Sequence, residues 1–297
     1  MRILMILTLI NILSANEILI QKALESNLSP IPINKNLFEN KSQIELGKKL
    51  FFEPRISYSN LTSCNSCHNL ALGGSNAIPQ TKPFNVNVPS VFNANFDANF
   101  ARKHLATHIT GNLKASQNDA KIIESKITNF SQYVIDFKKS YGNNVKIDFD
   151  LILQAISSFQ NTLITQSRYD DFLRGTIKAL SKKEQEGLEI FINKDCINCH
   201  NGVNLGGTIL DFKTISEYKF ANNIKQNESI KVPTLRNITQ TSPYLKNGKV
   251  TSLKEVIASM IKHNDSINDS EIEKIEAFFE SLSGKKPEII YPQLPAK

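Results

Sequence analysis

A mainly α chain built as two tandem helical domains is the fold class the sequence predicts. Three observations predict it. The pattern Cys-x-x-Cys-His occurs twice, as Cys64-Asn65-Ser66-Cys67-His68 and Cys196-Ile197-Asn198-Cys199-His200. The residues flanking the two copies match each other. The stretch between them carries apolar residues at helical spacing.

The motif has a chemical reason. Two thiols at i and i+3 can add across the two vinyl groups of one porphyrin, and the adjacent histidine then falls under the iron as its proximal ligand. The two motifs use all four cysteines of the chain. A four-cysteine zinc site would leave the histidine after each second cysteine unexplained. A redox dithiol would sit beside a βαβ pattern, which the sequence lacks. The reading is two covalently bound haem c groups. Cys64 and Cys67 tether one and Cys196 and Cys199 the other, with His68 and His200 as proximal ligands.

The flanks argue for an internal repeat. Ser42-Gln43-Ile44-Glu45 and Ser181-Lys182-Lys183-Glu184 both read as capping boxes that start a helix. The first helix carries Gly47, Leu50 and Phe51 and stops before Pro54; the second carries Gly187, Leu188 and Phe191. Gly47 corresponds to Gly187 and Phe51 to Phe191. Each motif is followed by asparagine and then Leu-Gly-Gly, at Leu72-Gly73-Gly74 and Leu205-Gly206-Gly207, whose glycines would let backbone pass close to a porphyrin. Two homologous units of this kind read as tandem cytochrome c-like helical domains, spanning residues 16–167 and 168–297.

The remaining elements follow in order. Residues 1–15 hold one positive charge, a short apolar run and small residues, which reads as a secretory signal peptide cleaved near Ala15. The run is too short to span a bilayer, and export suits haem attachment outside the cytoplasm, so the expected location is the periplasm. Residues 16–41 look irregular, with Pro30 and Pro32 marking a loop. Residues 119–140 carry Ile122, Ile123, Ile127, Phe130, Val134 and Phe137 at helical spacing, and Asn143 and Asn144 break the pattern. Residues 147–163 resume it, and the domain boundary is expected near residues 165–180. Ser252-Leu253-Lys254-Glu255 reads as a third capping box, whose helix presents Leu253, Val256, Ile257, Met260 and Ile261. A final helix from about residue 269 carries Ile272, Ile275, Phe279 and Leu282 and ends at Gly284 as a cap.

The formal net charge of +7 does not mark a nucleic-acid binder. Loss of Arg2 with the leader and the propionates of two haems bring it to about +2, and no Lys/Arg run is dense enough to form a phosphate-binding patch.

The sixth ligands decide the chemistry. A haem with two strong protein ligands moves electrons, and one with an open or releasable position can bind peroxide. Of the three methionines, only Met260 lies outside the leader. By spacing alone, a single methionine on an apolar helix face is more often core packing than a ligand. His263 competes with it but is turned partly off that face. For the first haem the candidates are His104 and His108, which would share a face if their stretch is helical.

At this point the chain resembles the bacterial di-haem cytochrome c peroxidases, a family that includes the di-haem enzyme of methylamine utilisation. The resemblance covers roughly residues 38 to 288. It is carried by Leu46-Gly47-Lys48-Lys49-Leu50-Phe51-Phe52-Glu53-Pro54-Arg55, the first motif with Asn69 and Leu70, Asn93-Ala94, Ser167 through Gly175, Cys196 through Gly207 and Val232 through Tyr244. It implies that the haem on His68 is a low-potential peroxidatic centre and that the haem on His200 is a high-potential centre where electrons arrive. It places the family's methionine ligand at Met260. It also implies a calcium ion held by oxygens at Asn87, Thr241 and Pro243, hydrogen peroxide as substrate, and a small periplasmic cytochrome c or cupredoxin as electron donor. It allows a homodimer.

The chain also departs from the family. The segment from Asn69 to Asn87 lacks the loop histidine that caps the peroxidatic iron in many members, and the chain has no tryptophan. An ungapped match puts His108 at the family's distal glutamine and Asn118 at its glutamate. Heterolytic cleavage of peroxide needs a proton moved from the inner to the outer oxygen, and a near-neutral histidine suits this, so His108 is the expected catalytic residue. Two other readings stay open. One is a partner-protein oxidase of the methylamine-utilisation type, in which a tyrosine such as Tyr244 replaces the methionine. The other is an electron carrier, in which His104 or His108 caps the first iron permanently.

Overall fold

The computed structural model describes residues 15–57, 59–76, 87–97 and 117–296. Residues 1–14, on which most of the expected leader falls, and His104 and His108 lie outside the described residues. The described chain is mainly helical and is built around two apolar cores.

The first core is made by α2 (Lys41–Phe52), the single turn α3 (Cys64–Cys67), α4 (Gln117–Thr128), α5 (Ser131–Tyr141) and α6 (Phe149–Gln160). Helix α2 lies across α6. At the crossing, a Cβ on Gly47 would overlap the carbonyl oxygen of Ala155, so only glycine allows the approach. One turn on, the rings of Phe51 and Phe159 meet edge to face, with centroids 5.4 Å apart.

The second core is made by α1 (Ala15–Glu25), α7 (Arg168–Leu173), α8 (Lys182–Asn193), α10 (Leu253–Ser259) and α11 (Asp269–Ser281). It repeats the same crossing. A Cβ on Gly187 of α8 would overlap the carbonyl of Lys274 on α11. Phe191 and Phe278 then meet with centroids 5.4 Å apart. The expected equivalences of Gly47 with Gly187 and Phe51 with Phe191 therefore hold in three dimensions. Between the halves of this core, α9 (Phe212–Ile215) and a two-residue antiparallel ladder of β1 (Ile209–Leu210) with β2 (Ile230–Lys231) form a surface excursion. Its register pairs Ile209 with Lys231 and Leu210 with Ile230.

Several elements differ from the sequence expectation. Residues 16–41 are not irregular throughout. Ala15–Glu25 is helical, and Leu19, Ile20 and Ala23 bury one face in the second core. The segment behind it is clamped there too: Ile31 donates its backbone N–H to Asp170 at 2.7 Å. Helix α2 starts two residues early, with Asn40 rather than Ser42 at the N-cap, and Glu45 turns to Lys48 instead of back to a cap. The box at Ser181 and Glu184 forms as expected, and Ser252 accepts the Glu255 N–H. The stretch 119–140 is two helices. Phe130 leaves helical geometry between them, its ring held under the guanidinium of Arg55 at 3.8 Å. Ile122, expected inside, is exposed. Helix α10 ends at Ser259, so Met260 is its cap. Helix α11 is capped at Leu282, and Gly284 serves close packing on the backbone of Thr165 and Gln166.

The chain beyond α11 returns to the first core. Ile289 packs against it, the ring of Tyr291 meets Phe52 at 5.0 Å, and the carbonyl of Pro295 accepts from Arg55 at 3.0 Å.

Candidate haem sites and the contact between them

Each motif is a tight turn that ends on its histidine. At the first, Ser63 and Ser66 form a reciprocal capping box, and the His68 N–H donates to Cys64 O at 2.8 Å. At the second, a 3-10 turn over Cys196–Asn198 is closed by the His200 N–H donating to Cys196 O at 2.9 Å. In both, the two cysteines lie at i and i+3 of one turn, the spacing that attachment to one porphyrin requires. The four thiols are half-buried, and none is in a disulfide. Burial pushes Cys64 and Cys196 up to about 12.

The histidines are aimed by backbone carbonyls. His68 Nδ1 donates to Pro89 O at 3.0 Å, and His200 Nδ1 donates to Leu205 O at 3.1 Å. A carbonyl only accepts, so in each ring Nδ1 carries the proton and Nε2 keeps its lone pair for a metal. Burial lowers the pKa of His200 to about 4, despite the opposing pull of the Leu205 bond. The ring is neutral at pH 7, the form that ligates iron. These donors fit a covalent haem at each motif.

Met260 is half-buried, and its N–H donates to Val256 O and Ile257 O, both at 3.1 Å. The segment that follows pairs with residues 217–219. The Lys219 N–H donates to Ile261 O at 3.2 Å and the His263 N–H to Glu217 O at 2.9 Å. Tyr218 in this pair has its hydroxyl pKa raised, first by burial and then by nearby Cys199. His263 itself is exposed. Tyr244 is buried in the second core, its N–H bonded to Val250 O at 2.6 Å.

Of the three residues expected to hold calcium, the structure brings two into contact. The Asn87 amide donates to Pro243 O at 2.7 Å and to Leu245 O at 3.1 Å, and the Asn87 N–H donates to Lys246 O at 2.9 Å. Thr241 lies two residues before Pro243, its hydroxyl bonded to Ile238 O at 3.2 Å. The donors are neutral oxygens. Among the described residues no cluster of three His, Cys, Asp or Glu could hold a metal. As the structure stands, the Asn87 amide turns its nitrogen toward the Pro243 and Leu245 carbonyls, so a calcium ion here would have to break both bonds and rotate the amide oxygen inward.

Sequence reasoning missed the residues that join the two halves. Asn93, Thr165 and Asn237 are fully buried and bonded in series. Asn93 Nδ2 donates to Thr165 Oγ1 at 2.7 Å, the Thr165 N–H donates to Asn93 Oδ1 at 2.8 Å, and Asn237 Nδ2 donates to Thr165 Oγ1 at 2.8 Å. Asn204 adds a donation to Asn93 O at 2.9 Å. A second missed centre is the ion pair of Arg236 with Asp170, both side chains wholly buried, with two N–H···O bonds of 2.9 and 3.0 Å.

A pair of helical cores, each carrying a Cys-x-x-Cys-His turn with a carbonyl-anchored histidine, defines a c-type haem protein. The comparisons sharpen this. The family model described as di-haem cytochrome c peroxidase matches residues 41–178. The cytochrome c551 peroxidase of Nitrosomonas europaea is 36% identical, over 89% of this chain and 86% of that protein. That of Pseudomonas aeruginosa is 34% identical, over 86% and 83%. Among solved structures, a MauG-like protein associated with microbial copper homeostasis superposes with a TM-score of 0.67 at 20% identity, covering 87% of this chain and 93% of that one. The chain belongs to the di-haem cytochrome c peroxidase family. It is an enzyme of the cytochrome-c peroxidase class, and hydrogen peroxide is the substrate its relatives' names imply.

Proposed function

We propose that this chain is a periplasmic peroxidase that reduces hydrogen peroxide to water at the His68 side, with electrons received at the His200 side. The donor would be a small cytochrome c or cupredoxin. The observation that carries the asymmetry is that both histidines are anchored alike, yet only the second core has a methionine, at the end of α10. Bound at the two motifs, haem would supply iron that exchanges electrons and, at one site, takes peroxide.

The residues divide the work. Cys64, Cys67, Cys196 and Cys199 tether, and His68 and His200 present Nε2 to the metal. Met260 would offer its sulfur to the second haem, where thioether ligation would favour the reduced state. His108 moves the proton from the inner to the outer peroxide oxygen. Asn87, Thr241 and Pro243 offer oxygens to a calcium ion where the two halves meet. The first haem domain is residues 16–167 and the second 168–297, with α1 packed on the second core. Export by residues 1–15 delivers the chain to the compartment where haem is attached.

The test is a pyridine haemochrome count followed by peroxide turnover with a reduced small cytochrome c. Two haems per chain and donor oxidation in proportion to peroxide support the proposal. Two haems with no turnover would leave an electron carrier.

A further inference from the structure

The geometry points to Asn204 as the positioning residue for the ligand His200, working through a contact from the other half of the chain. This rests on the reading of His200 as a haem ligand. The carbonyl that holds His200 Nδ1 belongs to Leu205, and Leu205 is the unusual residue of the site. Its φ is +46°, a left-handed conformation that a branched side chain avoids. Such a conformation persists only when its surroundings dictate it.

The Leu205 side chain is wholly buried in the second core. On its far side the Gly206 N–H donates to Asn201 O at 2.9 Å, and a Cβ on Gly206 would overlap the Pro233 backbone. On its near side Asn204 is pinned at both ends. Its carbonyl accepts from Thr234 Oγ1 at 2.8 Å and from the Leu235 N–H at 3.3 Å. Its side-chain amide donates to Asn93 O at 2.9 Å and to Asp97 Oδ1 at 2.5 Å. Both partners only accept, so the amide nitrogen faces them and cannot be exchanged with its oxygen. Asp97 is held from outside by Lys231.

Asn93 is itself immobile. Its N–H donates to Leu163 O at 2.8 Å, and both side-chain atoms are bonded to Thr165. The strained carbonyl at Leu205 is therefore set by a strut whose far end stands in the first half of the chain. The same segment, four residues back from Asn93, supplies the Pro89 carbonyl that holds His68. One run of residues, 89–93, thus fixes His68 directly and His200 through Asn204.

The consequence is electronic. A carbonyl accepting the Nδ1 proton makes the imidazole a stronger donor to ferric iron, which lowers the potential. Releasing the strut lets Leu205 relax, weakens that bond and raises the potential of the haem on His200.

The experiment is a spectroelectrochemical titration of the holoprotein and two variants. Asn204→Leu removes the strut at near-constant volume. Thr234→Val removes one bond to the Asn204 backbone, together with the bond that Thr234 Oγ1 accepts from the Arg236 N–H at 3.1 Å, and leaves the Asn204 side chain in place. The expected result is an upward shift in the midpoint potential of the haem on His200 in Asn204→Leu, a smaller shift of the same sign in Thr234→Val, and no change for the haem on His68. Lowered thermal stability with unmoved potentials would make Asn204 a packing residue and overturn the inference. If Asn204→Leu does not fold, Thr234→Val decides alone. A haemochrome count on the same samples separates the failures. Fewer than two haems in the parent protein overturns the assignment of His200, whereas two haems with unmoved potentials overturns only the role of Asn204.

Discussion

Gly47 rests directly on the carbonyl of Ala155, and that contact sets how α2 and α6 cross. The second half reproduces it with Gly187 and Lys274, so the two crossings are the conserved mechanical feature of the internal repeat. Because the opposing atom is backbone in both, no rotamer change can make room for a methyl group. Gly47→Ala and Gly187→Ala are each expected to cost about 3 kcal/mol or more. Each should loosen its own core first. Thermal melts followed separately at the two haem absorption envelopes would check this, and equal loss in both domains from either change would contradict it.

The Arg236–Asp170 pair is buried without access to water and also ties in the segment near Ile31 and Ser29. Removing one partner strands the other charge, so Arg236→Leu is expected to cost about 3–5 kcal/mol. The double change of Arg236→Leu with Asp170→Asn should cost less than the sum of the two single changes. Chemical denaturation of the four proteins gives the coupling directly.

Glu53 gives a pH prediction. Its carboxylate is buried, which alone would raise its pKa. Bonds from Arg55 and from the Tyr133 hydroxyl at 2.7 Å win, and hold it below its ordinary 4.5. A carboxyl held lower when folded contributes stability above its unfolded value, and loses it as pH falls through the folded value. Glu53→Gln is therefore expected to cost about 2–3 kcal/mol at pH 7, with the gap to the parent closing below pH 4.5. Stability measured from pH 3 to pH 7 reads this as two curves that converge on the acid side.

Met260→Ala is expected to remove the sulfur-to-iron absorption of the oxidised haem on His200 and to lower its potential, since thioether ligation favours the reduced state. An unchanged spectrum would make Met260 a packing residue and return the sixth position to another side chain.

If the proposed calcium is present, its removal by a chelator is expected to slow donor-dependent turnover without releasing haem, because the residues proposed to hold it, Asn87, Thr241 and Pro243, lie outside both motifs. Asn87→Ala should reproduce the chelated state, and chelation should then have no further effect. Additive losses would place the ion elsewhere.

Much of this molecule was legible before its structure was seen, for identifiable reasons. The thioether spacing of Cys64/Cys67 and Cys196/Cys199 is fixed by porphyrin chemistry, and the Gly47/Gly187 repeat by the crossing geometry, so both leave local marks. The box at Ser181 is a short-range hydrogen-bond pattern and forms as written. Helix α1 was hidden because its apolar face is only meaningful against a core more than 140 residues away in sequence. The break at Phe130 was hidden because it is dictated by Arg55, not by local propensity. The strut through Asn93, Asn204 and Thr165 is long-range polar bonding, from the Asn204 amide to the Asn93 carbonyl and from the Asn93 amide to the Thr165 hydroxyl, and spacing along one chain carries no trace of it.

The central claim is tested most directly by stopped-flow optical spectroscopy of the half-reduced holoprotein, mixed with hydrogen peroxide and then with a reduced small cytochrome c. The account predicts rapid loss of a high-spin ferric signal at the His68 site, followed by stoichiometric oxidation of the donor. A spectrum that is low-spin at both haems and inert to peroxide would contradict it.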